Sequence, residues 1–255
     1  MRKQLFCFAM LSMILFTACG AAESVKTPKK EGVAGIVEEL YHSDYEYEKT
    51  VQSIGMLSDP DTGEVVEKNA ELTVVYRGKV IADPYQEYIQ VVSASGPTLW
   101  TELYHSEEGF RGKTQIRTDE GIVDQPNFER EYPYGYGQEI SYELDREETV
   151  DGTLCQVYRA QYTRNIGGEV LRQDAEELEA TVTQEYYIDK EKKQPVMIVT
   201  DLEDLSRKNA MANDMQMNQV SLEEAEKRAA EEDYRPTETL KIFRYQETIE
   251  ISPLE

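Results

Sequence analysis

From residue 44 onward, the chain is dominated by segments rich in Tyr, Val, Ile and Thr, separated by clusters of Pro, Asp and Gly. The first segment is "DYEYEKTVQSIGML" (44–57), and the cluster "SDPDTGE" (58–64) follows it. Aromatic and β-branched residues favour strands, whereas Pro, Asp and Gly favour turns. Strands that follow one another through short turns pair in antiparallel fashion. The pattern therefore restricts the chain to an antiparallel β architecture.

The same pattern predicts strands along most of the remaining chain. They are expected at 71–80 and 83–94, in two or three pieces over 98–123, on both sides of a turn over 139–164, and as a hairpin over 183–204. Alternating apolar residues predict a last strand over 237–252. A meander of this kind predicts a mainly β (α+β) fold, a strongly curved antiparallel sheet or half-barrel with a few short helices.

Three segments have helical features instead. "SLEEAEKRAAEED" (221–233) begins with Ser221-x-x-Glu224, a capping box in which both side chains satisfy amides at a helix start. An acidic stretch at 171–180 predicts a short helix, and "GIVEELYHS" (35–43) is the candidate helix near the start of the domain. These helices are too short and too few to change the mainly β fold class.

The N-terminal segment has the features of an export signal. A basic start, Met1-Arg2-Lys3, precedes an apolar run from Leu5 to Phe16. As a helix this run would reach ~18 Å, whereas the hydrocarbon core of a bilayer is ~30 Å thick. A basic start, a short apolar core and small residues at a boundary are typical of a secretory signal rather than a transmembrane helix.

The boundary after this run is Thr17-Ala18-Cys19-Gly20. It resembles the lipobox of bacterial lipoproteins, in which a small residue precedes a cysteine that is lipidated and becomes the new N-terminus. The resemblance implies that Cys19 carries the lipid and that the protein is anchored to the cell membrane, facing the outside (extracytoplasmic). The alternative is an ordinary signal peptide, cut after Ala18 or Ala22, in which Cys19 is incidental.

The chain is accordingly expected to have three parts. Residues 1–18 are the predicted lipoprotein signal peptide. Residues 19–35 are small, polar and Pro-containing, which predicts a flexible tether. Residues 36–255 are predicted to form a single half-barrel-like β domain.

Three strand segments carry a resemblance to a known superfamily. They are "VDGTLCQVYRA" (150–160), "QEYYIDKEKKQPVMIVTD" (184–201) and "ETLKIFRYQETIEI" (238–251). They resemble the half-barrel lipoproteins typified by the bacterial lipoprotein carrier LolA and the mycobacterial lipid-binding lipoproteins. The resemblance implies a strongly bent sheet that wraps over helices and encloses an apolar cavity.

Charge and cysteine content restrict the partners and the chemistry. The chain has 50 acidic and 27 basic residues and a formal net charge of −23, so it would repel nucleic acid and anionic lipid head groups. Because Cys7 lies in the signal and Cys19 at the lipidation site, Cys155 has no partner for an intramolecular disulfide. Cys155 is best interpreted as a small buried hydrophobe.

Five side chains are candidates for ligand binding: Trp100, Tyr104, Met211, Met215 and Met217. The two aromatic residues share a face if 98–105 is a strand, and aromatic platforms bind sugars and peptides. The methionines lie in 209–220, and methionine lines adaptable grooves. Packing in a core is the favoured alternative for the aromatic pair, and a core segment, a loose loop or a Cu(I) site are the other interpretations of the methionines.

No catalytic residue, metal or cofactor is predicted. The turn at 59–64 resembles a calcium loop, but Gly63 comes one place early and Asn69 stands where a Glu is required. His42 and His105 lack the surrounding motifs of serine hydrolases and zinc peptidases. The sequence thus favours a binding protein over an enzyme.

Together these features predict a lipid-anchored extracytoplasmic protein that holds an apolar ligand, such as a lipid or acyl chain, in a concave sheet. Its partners would be the membrane, through the N-terminal lipid, and an apolar small molecule, with no nucleic acid. The alternative is an envelope protein-interaction or sensor module without a small-molecule ligand. In that case sheet edges or the "YPYGYG" loop (132–137) would bind a protein or a wall polymer.

Overall fold

The computed structural model describes residues 32–58, 65–96, 98–107, 113–125, 139–166, 178–231 and 235–255. These ranges contain eleven strands and three helices. The helices are α1 (Val33–Leu40), α2 (Glu203–Met217) and α3 (Leu222–Glu231). The strands are β1 (Tyr45–Ser58), β2 (Val65–Ala82), β3 (Tyr85–Ala94), β4 (Glu102–Ser106), β5 (Lys113–Thr118), β6 (Gly121–Gln125), β7 (Glu143–Val150), β8 (Thr153–Ile166), β9 (Leu178–Asp189), β10 (Pro195–Asp201) and β11 (Thr237–Phe243).

The described strands form one antiparallel sheet in the order β6-β5-β4-β3-β2-β1-β11-β10-β9-β8-β7. Neighbours in this sheet are also neighbours in the chain, except that β1 pairs with β11 over Glu46–Gln52. Because β6 and β7 are its two edges, the sheet is open. The arrangement confirms the predicted fold class, a mainly β, curved antiparallel sheet with a few short helices.

Two tight turns form at the Asp/Gly clusters of the sequence. Asp151 and Gly152 connect β7 to β8 and adopt φ angles of 48° and 86°. Gly121 starts β6 with a φ of 123°. Glycine adopts positive φ at little cost, and Asp does so more readily than most residues. The flanking strands therefore pair as hairpins in the predicted order.

The three helices lie on one face of the sheet. α2 packs on β9 and β8 and contacts α3, while α1 contacts β10. α3 starts at the predicted capping box, where the Glu224 N–H donates to Ser221 Oγ over 3.3 Å. α1 is held by its apolar stripe, of which Val37 and Leu40 are buried. The helices and four strands, β8 to β11, thus enclose the largest apolar core.

We call the helix-covered side of the sheet the helix face; it carries Ala180, Val182 and Tyr186. Residues that lie opposite each other on paired strands share a face, so the helix face continues from Ile242 on β11 to Tyr47 on β1. The other side, the opposite face, carries a smaller cluster of Cys155, Val157 and Tyr187. The two faces therefore differ in their apolar content on the β8–β9 half of the sheet.

The end of the chain differs from the sequence prediction. β11 ends at Phe243, whereas the alternating pattern predicts a strand to residue 252. Arg244 and Gln246 adopt φ angles of 44° and 58°, which interrupts the extended backbone that a strand requires. The residues that follow leave the sheet, and Ile249 becomes buried elsewhere, with 6% of its surface exposed.

Some of the sequence predictions concern residues outside the ranges that the structure describes. Cys19, the "YPYGYG" loop (132–137) and the turn at 59–64 lie outside the described residues. The helix predicted at 171–180 lies mostly outside them too, and its last three residues, 178–180, belong to β9. α1 begins at Val33, inside the predicted tether. The division of the chain into signal, tether and domain stays a prediction.

Candidate functional site

The three methionines predicted to bind a ligand all lie on α2, where a core segment and a loose loop were the alternatives. Met211 is buried in the main core, with 2% of its surface exposed. Met215 packs against the edge of this core, and Met217, at the end of the helix, is 74% exposed. The three side chains therefore have three different environments and do not line a common surface.

The two aromatic candidates lie in another part of the sheet. Trp100 precedes β4, because that strand begins only at Glu102, and its ring centre lies 5.8 Å from that of Tyr76 on the helix face. Tyr104 lies within β4 and is paired with Tyr88 on β3. Both residues belong to the opposite face of the sheet. Trp100 and Tyr104 therefore do not share a face, since 98–105 is not one continuous strand.

The structure thus separates the candidate residues into two sets. Tyr104 lies on β4 and Trp100 just before it. The methionines lie on α2, which packs on β9 and β8. Five strands lie between β4 and β9 in the sheet. A ligand-binding role for these five residues stays a prediction.

Side chains of the protein itself occupy the core beneath the helices. Tyr186 is 1% exposed and donates its hydroxyl to Gln184 Oε1 at 2.5 Å. Gln184 Nε2 in turn donates to Thr200 Oγ1 at 2.7 Å. The Tyr142 ring packs edge-on against Tyr186, with the ring centres 5.4 Å apart. Burial raises the pKa of Tyr186 far above its ordinary value, so the hydroxyl remains a neutral donor in this network.

A groove of about 890 Å³ lies beside α1, between this helix and the last residues of the chain. Its volume falls within the ~300–1,000 Å³ that small-molecule sites usually have. Its apolar lining comes from three isoleucines: Ile36 on α1, Ile81 at the end of β2, and Ile249. Its polar lining comes from eight residues, of which four are acidic: Glu38, Glu39, Asp44 and Glu247, together with His42, Ser43, Gln246 and Thr248.

Hydrogen bonds hold the walls of this groove together. The Gln246 N–H donates to the Asp44 carbonyl at 2.8 Å, and Gln246 Nε2 donates to Glu39 Oε1 at 3.2 Å. Asp44 Oδ1 accepts a bond of 2.9 Å from the Ala82 N–H at the end of β2. The groove is therefore formed where α1, the end of β2 and the last residues of the chain meet.

Glu38 places a carboxylate at the groove without a complete set of partners. Its Oε2 atom is buried and has no hydrogen-bond partner within the part of the chain that the structure describes. An unsatisfied buried acceptor costs about 1–3 kcal/mol. Burial raises the pKa of the neighbouring Tyr142, and the charge of Glu38 adds to this rise. Because this oxygen has almost no accessible surface, its unmet hydrogen-bonding capacity lies behind the groove wall, not in the open groove.

A second polar cluster lies on the helix face of the half-sheet from β1 to β5. Both oxygens of Glu87 accept tyrosine hydroxyls, from Tyr47 at 2.9 Å and Tyr85 at 3.0 Å. His105 lies opposite Glu87 in the strand register, and its Nδ1 is 2.8 Å from Thr114 Oγ1. Burial and then the charge of Glu87 raise the pKa of Tyr47 well above its ordinary value. The tyrosine therefore acts as a permanent donor that holds the carboxylate in place.

The described residues contain no group of three or more His, Cys, Asp or Glu side chains that could hold a metal ion. Cys155 is buried, and burial followed by the charge of Asp189 raises the pKa of its thiol, which lowers the fraction of reactive thiolate. Among the described helices, none combines the length and the apolar character needed to span a bilayer.

Sequence reasoning did not identify the groove beside α1. Ile36 and Ile249 lie at opposite ends of the domain, and a local pattern cannot place them together. The available signals were the short apolar segment at 35–43 and the apolar residues near the end of the chain. Both were interpreted as parts of a helix and a strand, without the contact between them.

Neither a protein-family model nor a curated protein sequence matches this chain. Among solved structures, the chain is similar to Mycobacterium tuberculosis lipoprotein LppX, with 9% identity and a TM-score of 0.38 over 81% of this chain and 89% of that chain. It is similar to LprF from Mycobacterium bovis, with 8% identity and a TM-score of 0.40 over 86% and 92%. A DUF1329 family protein from Desulfovibrio piger has 11% identity and a TM-score of 0.26 over 85% and 90%. At such low identities and scores, these likenesses carry no conclusion about the ligand or activity of this chain.

Proposed function

We propose that this chain is a non-enzymatic, lipid-anchored extracytoplasmic protein that binds an amphipathic ligand with an acyl chain in the groove beside α1. The groove itself is the observation that carries this proposal. It combines a volume of about 890 Å³, an isoleucine lining and an acidic rim. Sites for small molecules combine apolar surface with polar groups that fix the orientation of the ligand. This groove is more polar than most such sites, since eight polar residues lie beside its three isoleucines.

The isoleucine lining supplies the affinity in this proposal. Ile36, Ile81 and Ile249 form apolar wall segments from which a ligand chain would displace water. Burying a chain in such a site is worth ~0.8 kcal/mol for each CH₂ group. Only several buried groups together would give stable binding, because association also costs translational and rotational freedom. A lipid acyl chain meets this requirement.

The acidic rim supplies the selectivity. Glu38, Glu39, Asp44 and Glu247 place four carboxylates at the groove. A head group that carries an ammonium or hydroxyl donor would complement this rim, whereas an anionic head group would be repelled. The net charge of −23 acts in the same direction. The ligand is therefore a lipid with a donor head group, such as phosphatidylethanolamine.

Binding is tested with the full chain and a fluorescent phosphatidylethanolamine. Ile81→Glu places a charge in the apolar wall and should weaken binding about tenfold or more. Glu38→Gln should weaken it less, because the amide keeps one acceptor oxygen. Leu154→Glu is the matched control, since Leu154 is a 47% exposed apolar residue of β8. Equal binding by wild type and Ile81→Glu would contradict the proposal.

Native mass spectrometry with solvent extraction of the purified protein provides an independent test. A stoichiometric apolar adduct would support a carrier and identify its ligand class. A protein that carries no adduct and acquires none from membrane lipids would exclude the carrier function. The envelope-interaction module would then be the remaining hypothesis.

The anchor is tested separately at Cys19. In the proposal, Cys19→Ser abolishes incorporation of an alkyne-labelled fatty acid into the protein, whereas Cys155→Ser does not. An unaltered label in Cys19→Ser would exclude lipidation at this residue and favour an ordinary signal peptide.

A further inference from the structure

A second groove, of about 430 Å³, lies on the opposite face, across β11, β1, β2 and β3. One row of paired residues runs through it at right angles to the strands. Phe243 lies opposite Glu46, Glu46 opposite Lys79, and Lys79 opposite Tyr88. The row therefore begins and ends with an aromatic side chain and has charged side chains between them. We call it the aromatic-ended groove.

The geometry of the row sets the length of this groove. Phe243 and Tyr88 lie three strands apart, and neighbouring strands are ~4.8 Å apart, so the two positions are separated by ~14 Å. Phe243 is 46% exposed. The Tyr88 hydroxyl donates to Glu102 Oε1 at 2.6 Å, which holds the half-buried ring in one orientation. An oriented tyrosine ring and an exposed phenylalanine ring thus lie at the two ends of an extended polar strip.

The charged side chains of the groove neutralise one another. Arg77 lies 3.2 Å from Glu48, and Glu46 pairs with Lys79 at 3.8 Å. Arg244 pairs with Glu46 at 2.9 Å and with Glu247 at 3.2 Å, so three cations meet three carboxylates. Each of these cations therefore already has a carboxylate partner. The strip offers many hydrogen-bond donors and acceptors but little net field, which suits a neutral polyhydroxyl ligand better than an anion.

The strands of the groove exclude one common kind of partner. β11, β1, β2 and β3 all lie inside the sheet, with a hydrogen-bonded strand on each side. Their main-chain groups are therefore used in the sheet, and a peptide cannot be added here as a further strand. Only side chains are available for recognition.

We propose that the aromatic-ended groove binds a neutral oligosaccharide of β-1,4-linked pyranose rings, with Phe243 and Tyr88 as the two stacking platforms. The C–H groups on the faces of such sugars carry partial positive charge and pack on the negative faces of aromatic rings. The equatorial linkage keeps the rings in a flat, extended chain that fits the length of the strip. The paired Glu, Arg and Lys side chains, together with Gln90, bond the hydroxyl groups.

Isothermal titration of the full chain with chitohexaose and cellohexaose tests this site. We expect saturable binding of at least one of them and weaker binding of maltohexaose, whose α-linkages curve the chain. Phe243→Ala should weaken binding about tenfold through loss of one stacking contact, and Phe243→Trp should retain it. Leu154→Ala is the control, because this residue of β8 is 47% exposed and is not part of the groove.

Three results would overturn the proposal. The first is no heat of binding with either β-linked hexasaccharide at millimolar concentration while the protein is folded by circular dichroism. The second is unchanged affinity in Phe243→Ala, and the third is an equal loss in Leu154→Ala. Because this groove and the one beside α1 have different linings, lipid binding can fail without affecting the sugar titration.

Discussion

Replacement of Gly78 by alanine should destabilise the protein, although alanine normally stabilises a strand. Gly78 lies on β2 beneath the Tyr47 ring, and a Cβ atom there would collide with Cε1, Cζ and the hydroxyl oxygen of Tyr47. Tyr47 is 5% exposed and donates to Glu87. The buried ring has little room to move, so the substitution should displace it and break its bond to the carboxylate.

The change in the free energy of unfolding combines two destabilising contributions and one stabilising contribution. Overpacking of a core usually costs about 1–3 kcal/mol. Loss of a hydrogen bond to a charged group adds about 1.5–3 kcal/mol. Alanine recovers about 0.5–1 kcal/mol relative to glycine in a strand. The net loss in the free energy of unfolding for Gly78→Ala should therefore be about 1.5–5.5 kcal/mol.

Urea unfolding followed by circular dichroism measures this loss. In a Tyr47→Ala background the collision is absent, so Gly78→Ala should be stabilising by about 0.5–1 kcal/mol. Tyr47→Phe isolates the hydrogen bond from the collision. The reasoning would be refuted if Gly78→Ala were neutral or stabilising in the wild-type chain, or if its effect were equal in both backgrounds.

Three further predictions concern other parts of the fold. Arg146, with Tyr187 adding to its effect, hydrogen-bonds Glu185 and holds its pKa below the ordinary value; Glu185→Gln should therefore cost about 1 kcal/mol at pH 7. This difference should shrink as the pH falls through the lowered pKa of Glu185, which urea titrations at several pH values would measure. A difference that stays constant with pH would contradict this prediction. The Cys155 thiol, which is 0% exposed, should react with Ellman's reagent only after unfolding, with Cys155→Ala as the blank; rapid reaction of the native protein would contradict its burial. Ser221→Ala removes the cap of α3 and should lower the free energy of unfolding by about 0.5–1 kcal/mol, with an unchanged urea midpoint as the contrary result.

The strands could be predicted well because their signals are local. The turn at Asp151-Gly152 and the helix start at Ser221 each depend on residues close together in the chain. The turn forms as expected, and so does the Ser221 half of the capping box, whereas the Glu224 carboxylate pairs with Arg228. The hairpins then follow from the order of strands and turns. The fold class needed no long-range information.

Other features could not be predicted from local patterns. The end of β11 at Phe243 depends on positive φ angles at Arg244 and Gln246, and neither residue type signals such a conformation. Local pattern does not predict α2, because its segment rich in Asn and Met has no regular apolar stripe. The groove beside α1 requires contact between Asp44 and Gln246, which no short stretch of sequence encodes. The candidate site was therefore less predictable than the sheet.

The position of β1 beside β11 has a consequence for how the molecule is assembled. β1 to β6 and β7 to β11 are two meanders of successive antiparallel strands, the second with α2 and α3 inserted between β10 and β11. Among the described strands, only the β1–β11 pairing joins them. If the chain were joined between β11 and β1 and opened between β6 and β7, the same sheet would be a single meander in strictly sequential order. The sheet is thus a circular permutation of the simplest antiparallel topology, in which the first and last strands of the chain lie side by side at the centre of the sheet.

The pairing of β1 with β11 also determines when the groove beside α1 can exist. Its walls include Asp44, just before β1, and Ile249, after β11. Neither meander contains both walls, and joining them closes a loop of almost the whole domain, the entropically most expensive closure in the fold. The groove is therefore a product of the longest-range step in folding, and it is present only in molecules in which the two meanders have met.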